Sequence, residues 1–200
     1  IASLVASAIG VIVGATAGFF GGWVDTVLSR IVDLVMSVPF LLVAIALVAV
    51  LGPSLGLSIV VIVFFSLAGL GRVIRGQVLA IREREYIEAA RSLGESRWSM
   101  MLRDVLPNLV VPIIVYTTLG IPAAVVFEAT LSFLGLGVVP PTPSWGNMLA
   151  DAANGSMYMV APWMVLVPGL ALLALTLAFN LLGDGLRDAL DPTSSKGNKA

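Results

Sequence analysis

The chain has 200 residues, of which 58% are hydrophobic and 12% charged, with a net charge of −1. Soluble domains carry about 25% charged residues, so this chain has too little polar surface to coat a globule in water, and a lipid-facing surface is the simplest remedy. It has no Cys and no His, which excludes Cys/His zinc sites, thiolate nucleophiles, Ser-His-Asp triads and imidazole proton relays.

A membrane-spanning helix needs about 20 mostly apolar residues. Five stretches qualify, roughly 1–22, 31–51, 57–80, 107–130 and 161–182. The fold class is therefore an all-α integral membrane protein, a polytopic bundle of about five transmembrane helices. The chain opens at Ile1 inside an apolar run, without the charged start of a signal peptide. An earlier span is expected to precede it. Trp23 to Arg30 reads as a short charged break. Asp33, with Arg30, opens the second span, where a carboxylate suits a helix N-terminus. Gly52-Pro53-Ser54-Leu55-Gly56 is an uncharged turn. Residues 82–106 form a charged insert, and residues 135–160 are rich in Gly, Pro and Asn. The polar tail 193–200 is expected to be disordered, leaving 1–192 as the membrane domain.

Lys and Arg are retained on the cytoplasmic side. The basic residues are Arg30, Arg72, Arg75, Arg82, Arg84, Arg91, Arg97, Arg103, Arg187, Lys196 and Lys199. With five spans, all of them fall on one side, with Arg72 and Arg75 at the inner end of the third span. The start of the chain is then outside, and the insert and the C-terminus are cytoplasmic.

The insert, REREYIEAARSLGESRWSMMLRDVLPN from Arg82 to Asn108, carries two helical patterns. Tyr86, Ala89, Ala90 and Leu93 share one face. After Gly94 the spacing restarts with Trp98, Met101, Leu102 and Val105. Gly94 suits a left-handed helix end, and Pro107 marks a further boundary. Two short amphipathic helices joined by a bend are expected to protrude into the cytoplasm. The residues alone leave open whether they dock a partner or lie on lipid headgroups.

Glu88-Ala89-Ala90, followed after three residues by Gly94 and later by Leu106-Pro107, resembles the EAA motif of binding-protein-dependent ABC importer permeases. Asp104 departs from the pattern, which often has an aliphatic residue there. Gly21 to Asp25 (GGWVD), Arg72 to Gln77, Glu128 to Gly137 (EATLSFLGLG), Pro140 to Met148 (PPTPSWGNM) and Phe179 to Pro192 resemble the second permease of dipeptide, oligopeptide and nickel importers. The resemblance covers almost the whole chain. It implies a type I ABC importer permease fold in a prokaryotic inner membrane, with a homologous permease as partner in a heterodimer. Two ATPase subunits bind inside, and an extracytoplasmic binding protein delivers the solute, a peptide or a nickel-type complex. It gives ATPase coupling to Glu88, Ala89, Ala90 and Gly94, with Leu106 and Pro107 closing the motif. The 135–160 loop would face the binding protein, where Trp145 could serve the contact. No catalytic, metal or cofactor residues follow, since ATP would be bound by the partner subunits.

From Pro107 to Glu128, at about 1.5 Å per residue, is roughly 32 Å, which puts Glu128 near the outer mouth. It is either an interfacial carboxylate or an outer gate residue. Trp23, Trp145 and Trp163 suit interfacial anchoring. Pro112, Pro122 and Pro168 lie within spans, where each frees a carbonyl and allows a kink. The chain has no G-x-x-x-x-G-K-[ST] phosphate loop, no H-E-x-x-H and no G-x-S-x-G elbow. The rival class is a stand-alone channel or secondary transporter, which usually shows ionisable relays at midplane depth. An intramembrane hydrolase would need paired carboxylates that the spans lack.

Overall fold

The structure, a computed structural model, describes residues 1–154 and 156–190. All regular elements among them are helical. They are α1 (Ala2–Phe20), α2 (Gly22–Ser37), α3 (Phe40–Leu51), α4 (Leu55–Arg82), α5 (Glu85–Ser92), α6 (Arg97–Met100), a π-helical turn (Met101–Val105), α7 (Leu106–Phe133), α8 (Trp145–Asn154), α9 (Met157–Val160) and α10 (Trp163–Leu190). The tail 193–200 lies outside the described residues.

Among the described residues, four helices are long and apolar enough to cross a membrane: α1, α4, the continuous 37 residues of Arg97–Phe133, and α10. A fifth span exists if α2 and α3 are counted together across their 80° bend. That bend departs from the single span expected over 31–51. Pro39 sits at it in extended backbone and caps α3, because its ring biases Val38 away from helix and it has no N–H to donate. The expected break at Trp23 to Arg30 is instead helical. The reversal comes earlier, at Gly21 and Gly22 with φ of 65° and 57°, values at which a Cβ would be strained. Asp33 accordingly lies well inside α2, not at a helix N-terminus.

α1 and α4 run parallel and very close. Gly10, Gly14 and Gly18 face Leu67 to Gly71, Gly71 to Arg75, and Arg75 to Val78 in turn. A Cβ at Gly14 would stand 3.0 Å from Ile74 Cβ and would overlap the Gly71 carbonyl. Small residues at this spacing let backbones approach in lipid, where dispersion replaces the hydrophobic effect. Arg82 Nη1 donates to the Gly18 carbonyl at 3.2 Å, closing the C-terminus of α1 with a cation.

Among the described residues, two apolar cores hold the bundle. One joins Ala15, Phe19, Ile74, Val78, Ile87, Met100, Met101, Val105 and Leu109 at the end of the bundle that carries α5. The other joins Ala44, Val61 and Leu131, with Phe40, Phe65 and Leu136 packed around them, toward the opposite end. Pro112 and Pro122 lie inside α7 and Pro168 inside α10 without ending either helix.

Candidate functional site: a docking elbow and a polar clamp at opposite ends of one helix

The elbow begins where α4 stops at Arg82. α5 is anchored by Ile87, which is fully buried in the first core, with Ala90 packed beside it. Its other side is bare: Tyr86, Glu88, Ala89 and Leu93 are exposed, Leu93 at 89%. The shared face read from the sequence thus splits. Ala90 turns inward, while Tyr86, Ala89 and Leu93 point away from the protein. Ile87, absent from that reading, supplies the anchor. The second set splits too, with Met101 and Val105 buried and Trp98 and Leu102 exposed. Trp98 rests against the Phe20 ring, with centroids 5.0 Å apart.

Gly94 has φ of 81°. Its N–H reaches the Arg91 carbonyl at 3.1 Å, and the Glu95 N–H reaches the Ala90 carbonyl at 3.1 Å. This is the paired closure of a Schellman motif, which favours Gly at the left-handed position. A Cβ built there meets nothing within 4 Å, so within this chain only the backbone conformation restricts this position. Ser96 then caps the next helix by accepting from the Ser99 N–H. Glu88, Arg91, Glu95, Arg82 and Arg97 ring a cavity of about 510 Å3 floored by Phe19, Phe20 and Met100.

α6 is a single turn and does not end before the span. It widens into the π turn Met101–Val105 and runs on through Leu106 and Pro107 into α7. Pro107 was expected to mark a boundary. Its missing N–H and its ring would disturb a tight α turn; here the π turn that precedes it is wider. π turns inside α-helices are frequent at functional sites. Leu106 packs on the first core, so the elbow and the Leu-Pro pair meet on one apolar base.

The other end of α7 holds a polar knot. Glu128 Oε1 accepts from Ser132 Oγ at 2.6 Å and from Ser144 Oγ at 3.0 Å. Ser132 Oγ accepts from the Val138 N–H at 3.0 Å, and Ser144 Oγ accepts from the Gly146 N–H at 3.1 Å. Asn147 Nδ2 donates to the Val138 carbonyl at 2.8 Å. One carboxylate therefore gathers the end of α7, the returning loop and the first turn of α8. Gly146 is the contact point: a Cβ there would collide with the Ala129 carbonyl. The sequence reading took 135–160 as a loop. The structure forms α8 within it, because Ser144 starts a helix whose first turn is fixed to Glu128. Ser132 and Ser144 were missed as partners of Glu128, and Asn147 as a donor to the Val138 carbonyl. The four-residue spacing from Glu128 to Ser132 was the available signal, whereas Ser144 is brought in only by the fold.

A third charged group lies between α2 and α4. Arg75 grips Asp25 through Nε and Nη2, the latter at 2.7 Å, and Ser29 donates to the same carboxylate at 3.0 Å. Arg72 reaches Asp33 with one N–H at 2.6 Å. Asp33 therefore serves as a cross-helix partner.

The sequence matches the family of binding-protein-dependent transport system inner membrane components over residues 10–196. It is 44% identical over 183 residues to the dipeptide transport system permease protein DppC of Alkalihalophilus pseudofirmus, covering 92% of this chain and 60% of that protein. It is 43% identical over 189 residues to the glutathione transport system permease protein GsiD of Pectobacterium atrosepticum, covering 94% of this chain and 62% of that protein. The chain thus spans about three fifths of the length of these curated relatives. Its fold is similar to a chain of the MetNI methionine ABC transporter in an inward-facing conformation. The TM-score there is 0.70 at 18% sequence identity, covering 95% of this chain and 91% of that one.

Proposed function

The chain belongs to the family of binding-protein-dependent transport system inner membrane components, and from that premise we propose that it forms half of the solute pathway of an ATP-driven importer. The observation that carries this reading is the elbow. α5 is locked to the spans by Ile87 while Glu88, Ala89 and Leu93 are offered outward, ahead of a Gly94 turn with open space around it. An exposed apolar and small-residue surface on a rigid helix suits docking into a partner's cleft.

The partners in this reading are a homologous permease, two ATPase subunits seated against Glu88, Ala89 and Gly94 while Ala90 packs the helix onto the core, and an extracytoplasmic binding protein. ATP is bound by the ATPase subunits, and this subunit is not catalytic. The elbow end, which carries the basic residues, faces the cytoplasm; the Glu128 end faces outward, with the first residue of this chain outside and its last inside. The solute class is peptides, supported by the dipeptide and glutathione systems named for its relatives. Glu128 acts at the outer gate indirectly, by fixing α8 beside the mouth.

The test reconstitutes the assembly in liposomes and measures ATP hydrolysis with peptide-loaded and empty binding protein. Loaded binding protein should stimulate hydrolysis. Peptide transport by this subunit purified alone would sink the importer reading and favour a stand-alone channel.

A further inference from the structure

α2 is two-sided. Trp23, Val27, Ile31 and Leu34 form an exposed stripe, and on a helix at the membrane boundary such a stripe lies against acyl chains. Polar residues of α2 line a cavity of about 380 Å3 shared with α1 and α4, which contains Asp25, Ser29, Arg30, Asp33, Arg72 and Arg75.

In that cavity donors outnumber acceptors. Three guanidinium groups face two carboxylates, an excess of one positive charge. Arg75 and Asp25 satisfy each other as a fork. Arg72 gives only Nη2 to Asp33, which leaves its remaining N–H groups without a partner among the described residues. Arg30 has no partner among the described residues. With Leu55 placed at one edge of the hydrocarbon core, the cavity falls near the other edge, beside the headgroups. α4, at about 1.5 Å per residue, is roughly 42 Å long, about 12 Å more than a hydrocarbon core of roughly 30 Å. Arg75 and Arg72 lie about 10 and 15 Å from its Arg82 end, around the boundary.

We propose that this cavity binds the phosphate of an anionic lipid headgroup. Arg30 and the spare donors of Arg72 hold the phosphate, and the acyl chains run along the Trp23–Leu34 stripe. Guanidinium groups match phosphate oxygens in geometry and charge, and basic pockets between membrane helices are suited to such headgroups. The stripe beside the cavity favours a lipid over a free anion, because it gives the chains a place to lie. The inference rests neither on the importer reading nor on the orientation of the chain.

The test incubates the full-length protein with phosphatidylglycerol or phosphatidylcholine and counts bound lipid by native mass spectrometry. Phosphatidylglycerol should be retained over phosphatidylcholine. Arg30→Gln should lower that preference about fivefold, the share that one basic residue carries near an anionic surface. Arg72→Gln should lower it in the same direction, while Arg187→Gln, outside the cavity, should leave it unchanged. Unchanged retention in Arg30→Gln overturns the proposal. So does an equal fall in Arg187→Gln, which would reduce the effect to general surface attraction. Displacement of the lipid by millimolar inorganic phosphate would assign the cavity to free phosphate and overturn the lipid reading.

Discussion

Ser144 Oγ donates to Glu128 Oε1 at 3.0 Å, and this bond ties the first turn of α8 to the end of α7. Glu128→Ala leaves two serine hydroxyls without their acceptor. Hydrogen bonds to a charged group contribute about 1.5–3 kcal/mol each, so α8 should loosen while the spans stay folded. Amide exchange over residues 138–148 should accelerate, and transport should fall. Glu128→Gln keeps a neutral acceptor and should show a smaller change of the same kind. Unaltered exchange in Glu128→Ala would mean that the clamp holds nothing.

Gly94→Asp should leave membrane levels near normal and abolish transport. The left-handed backbone costs a residue with a Cβ about 1–2 kcal/mol, which the spans tolerate. The added carboxylate points into the space a partner would occupy. Gly94→Asn, which accepts left-handed backbone more readily, should retain more activity. Glu88→Lys should be milder than Gly94→Asp, since an exposed charge contact is worth at most about 1 kcal/mol. Wild-type transport by an expressed Gly94→Asp protein would return the elbow to a loop on the headgroups.

The two ion pairs of α2 should behave differently. Arg75 and Asp25 are 34% and 20% exposed and doubly bonded, so Arg75→Gln strands a half-buried carboxylate. A loss of about 1.5–3 kcal/mol is expected, read as a lower midpoint of thermal unfolding, with partial recovery in Arg75→Gln/Asp25→Asn. Arg72 and Asp33 are 53% and 50% exposed, so Arg72→Gln should shift stability by less than about 1 kcal/mol. Equal shifts in both would contradict the burial difference.

Gly14→Val should prevent α1 from seating on α4, at a cost of about 1–3 kcal/mol for overpacking. Gly69→Val is the matched control, because nothing lies within 4 Å of a Cβ there. Yield of folded protein by size-exclusion chromatography separates the two; a similar yield would argue against the close helix pair.

Orientation is testable with single cysteines. Leu55 and Thr142 are exposed at the end opposite the elbow, and Ser96 is exposed on the elbow. Cysteines at Leu55 and Thr142 should react with an impermeant reagent in intact cells, and one at Ser96 only after permeabilisation. The reverse pattern would invert the chain.

The legible parts of the fold were those fixed by local chemistry. Apolar length gave the spans, and Gly94 gave the elbow because a left-handed helix end is a property of a few neighbouring residues. The bend at Pro39 was lost because apolar density is the same on both sides of it. The inward turn of Ile87 was lost because Tyr86, Ala89, Ala90 and Leu93 fit helical spacing equally well, and only the position of α4 and α7 decides which side is covered. α8 was hidden by the Gly and Pro around it, since its start depends on a carboxylate sixteen positions earlier. The apparent role of Asp33 at a helix start failed for the same reason: its partner is 39 residues away.

The helix from Arg97 to Phe133 has no break in its 37 residues, so at about 1.5 Å per residue it is a lever of roughly 55 Å. Its lower end is continuous with the elbow, and its upper end carries the carboxylate that holds α8. Tilting such a lever by about 10° around its middle displaces each end by about 5 Å, in opposite directions. Movement at one face of the membrane and movement at the other are then one mechanical coordinate. Stiffness along that coordinate is set where the backbone can yield, at the π turn, Pro112 and Pro122.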